Sequence, residues 1–190
     1  MENINIIRNG KYDKDFDGIK WAVSARSHDN LRPAINCVSV SFGLVVATDG
    51  HRLHAYTTDR NIPDGVYKIV SQTKDAIIME TEERLTYPDY ERAFPKRTHN
   101  GVPDFPTKNY GTGVSPKDHD TFIINHILKN STGGFNIHHL MDACPIGEEL
   151  HFEQGVPEDR QPFVIRNQDY SKAALVMPLS PPLLFGREKP

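Results

Sequence analysis

Apolar residues recur at helical spacing in a segment near the amino terminus. Ile19, Ala22 and Val23 fall on one face of this segment, while polar residues fall on the other. Either of two aspartates, Asp15 and Asp17, can cap such a helix, which we expect to run to about residue 27. The pattern predicts one amphipathic helix with a basic edge.

A second helix is predicted in the carboxyl-terminal half of the chain. Asn136 can serve as its N-cap, and Pro145 ends the pattern. The apolar residues at i, i+3, i+4 and i+7 are Ile137, Leu140, Met141 and Cys144. Their spacing places one apolar stripe on a single helix face.

Alternation with period two predicts short strands on both sides of these helices. In the first half they lie at residues 3–7, 38–42 and 44–47, and a tight turn at Asp49-Gly50 leads into a strand that ends near residue 56. A strand pair follows at 66–70 and 76–80, and three more strands lie near 150–152, 163–165 and 174–176. The chain therefore contains a helix with three antiparallel strands, twice, which predicts an α+β fold.

We expect one domain over residues 1–179, made of two half-domains, 1–94 and 119–179. A connecting loop at 95–118 is rich in proline and glycine. Residues 122–128 are ambiguous, because their apolar spacing suits a helix while their residue types favour a strand, and we interpret them as a strand. Residues 180–190 are expected to form a flexible tail.

Composition is that of an ordinary folded protein, with 25% charged and 37% hydrophobic residues. The net charge of −3 excludes a global positive field, so any contact with DNA must come from a local patch. The sequence contains no long apolar run and no signal-peptide pattern, and we expect a cytoplasmic protein. Cys37 and Cys144 are expected to be buried free thiols, with a disulfide between them as the less favoured alternative.

Nine histidines raise the question of a metal enzyme. His138 and His139 are adjacent in the second helix and point to different faces, while His51 and His54 lie in a strand region. The chain lacks HExxH, paired-cysteine, phosphate-loop and Gly-x-Ser-x-Gly patterns. We therefore expect no catalysis, no metal and no cofactor.

Four short strings of residues, in their order along the chain, give a more specific indication of fold and function. They are Ala47 to Leu53, Tyr87 to Pro95, Gly134 to Asn136 and Ala174 to Leu179. Together they resemble the middle and carboxyl-terminal domains of the bacterial DNA polymerase III beta subunit, the sliding clamp family, in a shortened form. The resemblance covers most of residues 18–179, with a gap, and implies the DNA-clamp-like processivity fold.

The resemblance implies a hydrophobic cleft that receives short peptides of the polymerase and of other replication proteins. The residues that match its walls are Thr48, Gly50, His51, Arg52, Leu53, Pro88, Arg92, Ala93, Asn136, His139, Leu175, Val176, Met177, Pro178 and Leu179. Two of them depart from the family pattern: Ala93 is smaller than usual, and His139 stands where an aromatic residue is common. Arg52, Arg92, His51 and Asn136 would supply a polar rim.

The family also encircles double-stranded DNA, and Lys20, Arg26 and Arg32 would be the DNA-binding residues here. A subunit this short would have to form a ring with a different number of copies, so a homo-oligomer is one expectation. The alternative is an adaptor or inhibitor, derived from a clamp, that binds replication proteins without encircling DNA. Leu183-Leu184-Phe185 in the tail resembles clamp-binding peptides and could occupy a neighbour's cleft, although a disordered or self-packing tail is favoured.

Overall fold

The computed structural model describes residues 3–95, 98–99, 115, 118, 121, 125, 134–145, 148, 150–155 and 162–179. The strands are β1 (Asn3–Ile7), β2 (Cys37–Ser41), β3 (Leu44–Thr48), β4 (Arg52–Thr57), β5 (Gly65–Gln72), β6 (Ala76–Thr81), β7 (Thr98–His99), β8 (Leu150–Gly155), β9 (Phe163–Asn167) and β10 (Lys172–Val176). The helices are α1 (Lys14–Val23) and α2 (Ile137–Ala143), with short 3₁₀ helices at Pro33–Asn36 and Tyr90–Ala93.

All ten strands join one antiparallel sheet in the order β1-β6-β5-β2-β3-β4-β10-β9-β8-β7. The two halves of the chain meet in the middle of this sheet, where β10 pairs with β4. The register sets Leu175 opposite Leu53 and Val176 opposite Arg52. Strands from distant parts of the chain therefore form one continuous surface, and the predicted α+β fold is confirmed.

Alternation along β4 sorts its side chains between the two faces of the sheet. Tyr56 belongs to the core beneath α1, and His54 stacks on Trp21 of that helix. Leu53 and Ala55 belong to a second core on the opposite face. A further cluster joins α2 to β8, β9 and β10. The helices thus cover one face of the sheet, and the opposite face is covered by the chain segment at 87–94.

Both predicted helices are present, but α1 differs from the prediction in its cap and in the residue where it ends. Asn136 caps α2 as predicted, because its side chain accepts a hydrogen bond from the amide of His138. The cap of α1 is Asp13, not Asp15 or Asp17, and the helix ends at Val23. Asp13 Oδ1 accepts the amide proton of Phe16 at 2.9 Å. Asp15 instead accepts hydrogen bonds from Tyr56, Thr58 and Arg60, which fixes it to the end of β4.

The connecting region is described at a few residues only. Thr98–His99 form β7 inside the predicted loop 95–118, and Asp118 is helical. Asn125, the described residue within 122–128, is also helical, so the predicted strand is wrong at this position. The apolar spacing at 123, 124, 127 and 128 satisfies the helical period, which outweighs the β-branched residue types. The remaining residues of both segments, and the tail 180–190, lie outside the described part of the chain.

A glycine in the middle of α1 marks the closest approach of this helix to the sheet. A Cβ atom at Gly18 would lie 2.3 Å from the ring of Tyr56. No side chain fits in that space unless the helix or the ring moves. Gly18 therefore sets the distance between α1 and β4, although alanine would favour the helix itself by about 1 kcal/mol.

We predict that Gly18→Ala lowers the free energy of unfolding by about 1–3 kcal/mol, because the clash with Tyr56 outweighs the gain in helix propensity. Urea unfolding measures the change. Lys14→Ala, at an exposed position of the same helix, should leave stability nearly unchanged. A more stable Gly18→Ala protein would contradict this packing.

His54 is the most deeply buried polar side chain of the sheet's centre. Its ring stacks on the indole of Trp21 with 4.3 Å between centroids, and Nδ1 donates to the carbonyl oxygen of Trp21 at 3.1 Å. Its Nε2 has no partner among the described residues. Burial lowers the pKa of His54 to about 4, so the ring is neutral in the folded protein at neutral pH.

We predict that acid destabilises the protein through His54. An unfolded chain binds this proton near the ordinary pKa of 6.5 and the folded chain does not, so the free energy of unfolding falls as the pH drops from about 7 to about 4, by up to about 3 kcal/mol. His54→Phe keeps the stacked ring and should flatten this dependence. His28→Phe, at an exposed position, should retain the wild-type slope. Equal slopes in all three proteins would refute the assignment.

Candidate functional site

The pairing of β4 with β10 brings two of the four strings into direct contact. The amide of Met177 donates to the carbonyl oxygen of His51 at 2.8 Å, immediately beyond the paired strands. The tip of the Asp-Gly hairpin and the Met-Pro string therefore lie side by side at one end of these strands. The predicted cleft requires this arrangement.

The hairpin tip is fixed by its own side chains. Asp49 Oδ1 accepts the amide protons of His51 at 2.8 Å and of Arg52 at 2.9 Å. The Thr48 hydroxyl donates to the carbonyl oxygen of Arg52 at 2.6 Å and accepts from the amide of Gly50 at 3.0 Å. Gly50 has φ +89, a conformation that glycine adopts without strain. The turn is consequently rigid, with His51 exposed at its tip.

The start of α2 is tied to the Met-Pro string. Leu179 donates its amide proton to the carbonyl oxygen of Gly134 at 2.8 Å, and Phe135 forms a β-bridge with Pro178. The His139 ring stacks on His51 of the hairpin tip, with 6.2 Å between centroids. Burial lowers the pKa of His139. Three of the four strings thus meet around two imidazole rings.

The remaining string, at 87–95, crosses the sheet face that carries Leu53 and Leu175. These two leucines are buried in a cluster completed by Tyr87, Tyr90 and Phe94, with Ala93 beside them. Four members of the string are exposed: Pro88, Asp89, Glu91 and Arg92. Leu53 and Leu175 therefore form the floor beneath the site and not its open surface, whereas Val176 faces the other side of the sheet, in the cluster with α2.

The apolar side chains of the site that remain exposed belong to the Met-Pro string at its carboxyl-terminal end. Met177 is 39% exposed and Leu179 is 56% exposed. Pro178 and Ala93 are half-buried. An open apolar strip with a buried leucine floor can accept the side chains of an extended ligand.

Arg52, expected at the polar rim, is turned inward. Its guanidinium forms ion pairs with Asp49, at 3.3 Å, and with Asp142 of α2, and it donates to the carbonyl oxygen of Ser24. The indole of Trp21 also donates to the backbone of Asp142, at 2.8 Å. Asp142 therefore ties the two halves together below the site. Sequence reasoning missed this role, because nothing in the spacing of Arg52 and Asp142 indicates that they meet.

A groove of about 530 Å³ lies elsewhere, between α1 and the end of β5. Its charged residues are Lys20, Arg26 and Lys74, with His28 beside them and no carboxylate among the residues that line it. Arg26 is held by a hydrogen bond to Gln72 at 2.9 Å. Lys74, in the hairpin between β5 and β6, was not among the predicted DNA-binding residues.

Arg32 does not join this groove. It forms an ion pair with Asp29 at 3.2 Å and lies against Gly50 at the tip of the hairpin. Of the three predicted DNA-binding residues, Lys20 and Arg26 thus share one surface and Arg32 is on another.

Three other observations concern the described residues alone. Cys37 and Cys144 are both buried, and no disulfide joins them, as predicted. Among the residues that the structure describes, no group of three or more histidine, cysteine, aspartate or glutamate side chains could hold a metal ion. No helix that the structure describes is long and apolar enough to cross a membrane.

No family model matches the chain, and no curated protein matches it either. Solved structures of bacterial sliding clamps do match. The DNA polymerase sliding clamp from Bacillus subtilis aligns with a TM-score of 0.59 and 16% identity, over 95% of this chain and 64% of that one. The chain therefore covers less than two thirds of that clamp's length.

Two further clamps give the same result. The DNA polymerase III subunit beta from Borrelia burgdorferi, in complex with a natural product, has a TM-score of 0.59 and 14% identity, over 95% of this chain and 64% of that one. The sliding clamp from Pseudomonas aeruginosa bound to griselimycin has a TM-score of 0.55 and 17% identity, over 95% and 66%. The family resemblance of the four strings is thus confirmed in three dimensions, and the chain has the fold of the bacterial DNA polymerase sliding clamp.

Proposed function

We propose that the protein is a sliding-clamp-like accessory factor of DNA replication that acts in the cytoplasm and catalyses no reaction itself. In this proposal, it binds short peptide motifs of a polymerase or of other replication proteins in a hydrophobic cleft. The observation that carries the proposal is the hydrogen bond between Met177 and His51, which sets the Met-Pro string beside the Asp-Gly hairpin. This contact places in one surface two of the segments that the clamp resemblance assigns to the cleft.

The proposed cleft uses the open apolar strip for affinity. Met177 and Leu179 would receive the leucine and phenylalanine side chains of a ligand, and burying one such side chain is worth roughly 1.5–3 kcal/mol. Methionine adapts its shape to different ligands. The buried leucines 53 and 175 would act as a firm floor, since the segment at 87–94 already packs against them.

The polar rim would fix the ligand's orientation. His51 is exposed at the hairpin tip, and Arg92 presents a largely exposed side chain beside Pro88, with its guanidinium paired to Asp89 of the same string at 2.7 Å. Both can donate hydrogen bonds to a peptide backbone, a glutamine or a carboxylate. Asn136 and Arg52 would support the site indirectly, because their polar atoms cap α2 and join the two halves. The clamp from Pseudomonas aeruginosa bound to griselimycin gives a precedent for ligand binding on this fold.

Titration with a labelled Gln-Leu-x-Leu-Phe peptide tests the cleft. We predict that Met177→Ala weakens binding by at least about 1 kcal/mol, or about fivefold, because it removes an open apolar wall. Fluorescence anisotropy measures the dissociation constant. Val70→Ala, which truncates an apolar side chain of similar exposure outside the cleft, should bind like the wild type. Equal affinities in all three proteins, or no binding by the wild type, would remove the cleft assignment.

The proposal extends to double-stranded DNA. The basic groove offers Lys20, Arg26 and Lys74 for phosphate contacts, which supply affinity without reading sequence. Since the net charge of the chain is −3, this local groove would have to provide the attraction. Encirclement would require several copies arranged with cyclic symmetry.

The salt dependence of DNA binding tests the proposed role of the basic groove. We predict that Lys20→Ala and Lys74→Ala each reduce the slope of log affinity against log salt concentration by about 1, because each removes one phosphate contact. Arg32→Ala should leave the slope unchanged, since Arg32 lies outside the groove and is paired with Asp29. An equal loss of DNA binding in all three variants, or no loss in any of them, would contradict the assignment of DNA binding to this groove.

A non-ring adaptor is the second candidate function, and one observation favours it. The other side of α1 borders a groove lined by five carboxylates and two lysines, and α2 carries Asp142. This helix-covered face is therefore poorly suited to surround a polyanion. Particle mass in solution distinguishes the two functions, because a ring requires an oligomer and an adaptor can be a monomer.

A further inference from the structure

The hairpin between β2 and β3 carries a strained and exposed phenylalanine. Phe42 has φ +50 and Gly43 has φ +76, which is the pattern of a tight turn with two left-handed residues. Asparagine or glycine normally occupies the first of these positions, and a bulky side chain is disfavoured there. Phe42 is 94% exposed, so its ring contributes little packing in exchange for the strain.

A second aromatic residue shows the same combination. Tyr170, in the loop between β9 and β10, has φ +59 and is 62% exposed. Its ring stacks flat on His151, with 6.0 Å between centroids, which holds it in place at the surface. Phe42 and Tyr170 are the described non-glycine residues with positive φ. Strain retained at exposed aromatic residues points to a role in binding.

Both residues lie at one end of the sheet. The amide of Thr58 donates to the carbonyl oxygen of Gly43, next to Phe42. The amide of Thr57 donates to the carbonyl oxygen of Ser171, next to Tyr170. The two loops therefore flank the end of β4. The proposed cleft lies at the other end of β4, about 20 Å away by the rise of a strand.

The charge around this aromatic end is negative. Asp59, Asp64 and Asp169 are exposed there, and Asp64 also accepts the amide proton of Phe42 at 2.8 Å. Two cations close to them in the chain are already engaged: Arg60 pairs with Asp13 and Asp15, and Lys172 pairs with Glu148. The surface is thus apolar at two points and acidic between them.

The surface continues into a groove of about 930 Å³ between the two halves of the chain. Asp59, Asp169 and Tyr170 stand at this groove, and Trp21 and Tyr56 contribute aromatic side chains to its wall. A cavity of this size can receive several side chains of a protein segment. Three of its five carboxylates are already paired with cations, and Lys14 also lines the groove, so Asp59 and Asp169 are the groups that would favour basic side chains.

We propose that this end of the sheet is a second docking surface, which takes a protein segment carrying lysine or arginine beside apolar residues. Phe42 and Tyr170 would insert between the partner's apolar side chains, while its basic residues would face Asp59, Asp64 and Asp169 and enter the adjoining groove. The surface is separate from the peptide cleft and does not depend on it.

The test uses the full chain and two synthetic helical peptides of equal length, one of lysine and leucine and one of glutamate and leucine. The lysine peptide should bind with saturation and shift the amide resonances of Gly43, Asp64 and Tyr170. The glutamate peptide should not bind. In the double variant Phe42→Asn, Tyr170→Asn, affinity for the lysine peptide should fall at least tenfold while the midpoint of thermal unfolding rises by about 2 °C, since asparagine relieves the strain.

Leu31→Asn, which changes an equally exposed apolar residue elsewhere, is the matched control and should bind like the wild type. Undiminished binding by the double variant would overturn the proposal, and so would a lack of binding by the wild type. A lower unfolding midpoint in the double variant would also overturn it, because the aromatic rings would then serve the chain's own stability. Self-association of the wild type that disappears in the double variant would replace the basic partner with a second copy of the chain.

Discussion

The antiparallel pairing of β4 with β10 is the interaction on which the molecule depends. It joins a strand from residues 52–57 to one from residues 172–176 and so connects the two halves of the chain in one sheet. Because side chains alternate along both strands, this register also decides which residues face the helices and which face the segment at 87–94. A shift by one residue would move Leu53 and Leu175 to the helix-covered face and remove the floor of the proposed cleft.

Polar contacts reinforce this junction on the helix-covered face. Trp21 stacks on His54 and donates to the backbone of Asp142, whose carboxylate pairs with Arg52. These contacts connect α1, β4 and α2. The Asp142 side of this ion pair is exposed to solvent, so we expect the pair to set the geometry of the junction more than to stabilise it. The junction therefore has one preferred geometry, which is what a binding site built across it requires.

The sequence predicts local structure well where one short string contains all the determinants. Asp49-Gly50 is such a case, because the aspartate side chain and the glycine conformation both lie within the turn. The cap of α2 by Asn136 is another. Prediction fails where a partner distant in the sequence determines the role of a side chain. Asp15 resembles a helix cap, yet its carboxylate is held by Arg60 and by Tyr56 of β4.

The candidate site shows the same division. The four strings predict which residues surround it, and the clamp resemblance predicts that they meet. They do not predict that Arg52 turns inward to Asp142, or that the segment at 87–94 buries Leu53. These outcomes depend on packing between strings. The open surface is consequently smaller than the set of matching residues, and its apolar part centres on Met177 and Leu179.

Cross-linking gives the most direct test of the central claim, that the hairpin tip and the Met-Pro string form one binding surface. A clamp-binding peptide with a photoreactive group in place of its phenylalanine would be irradiated with the protein, and the attached residues identified by mass spectrometry. We predict that the peptide becomes attached both at residues 50–53 and at residues 177–179. Attachment confined to one of these segments, or to neither, would contradict it.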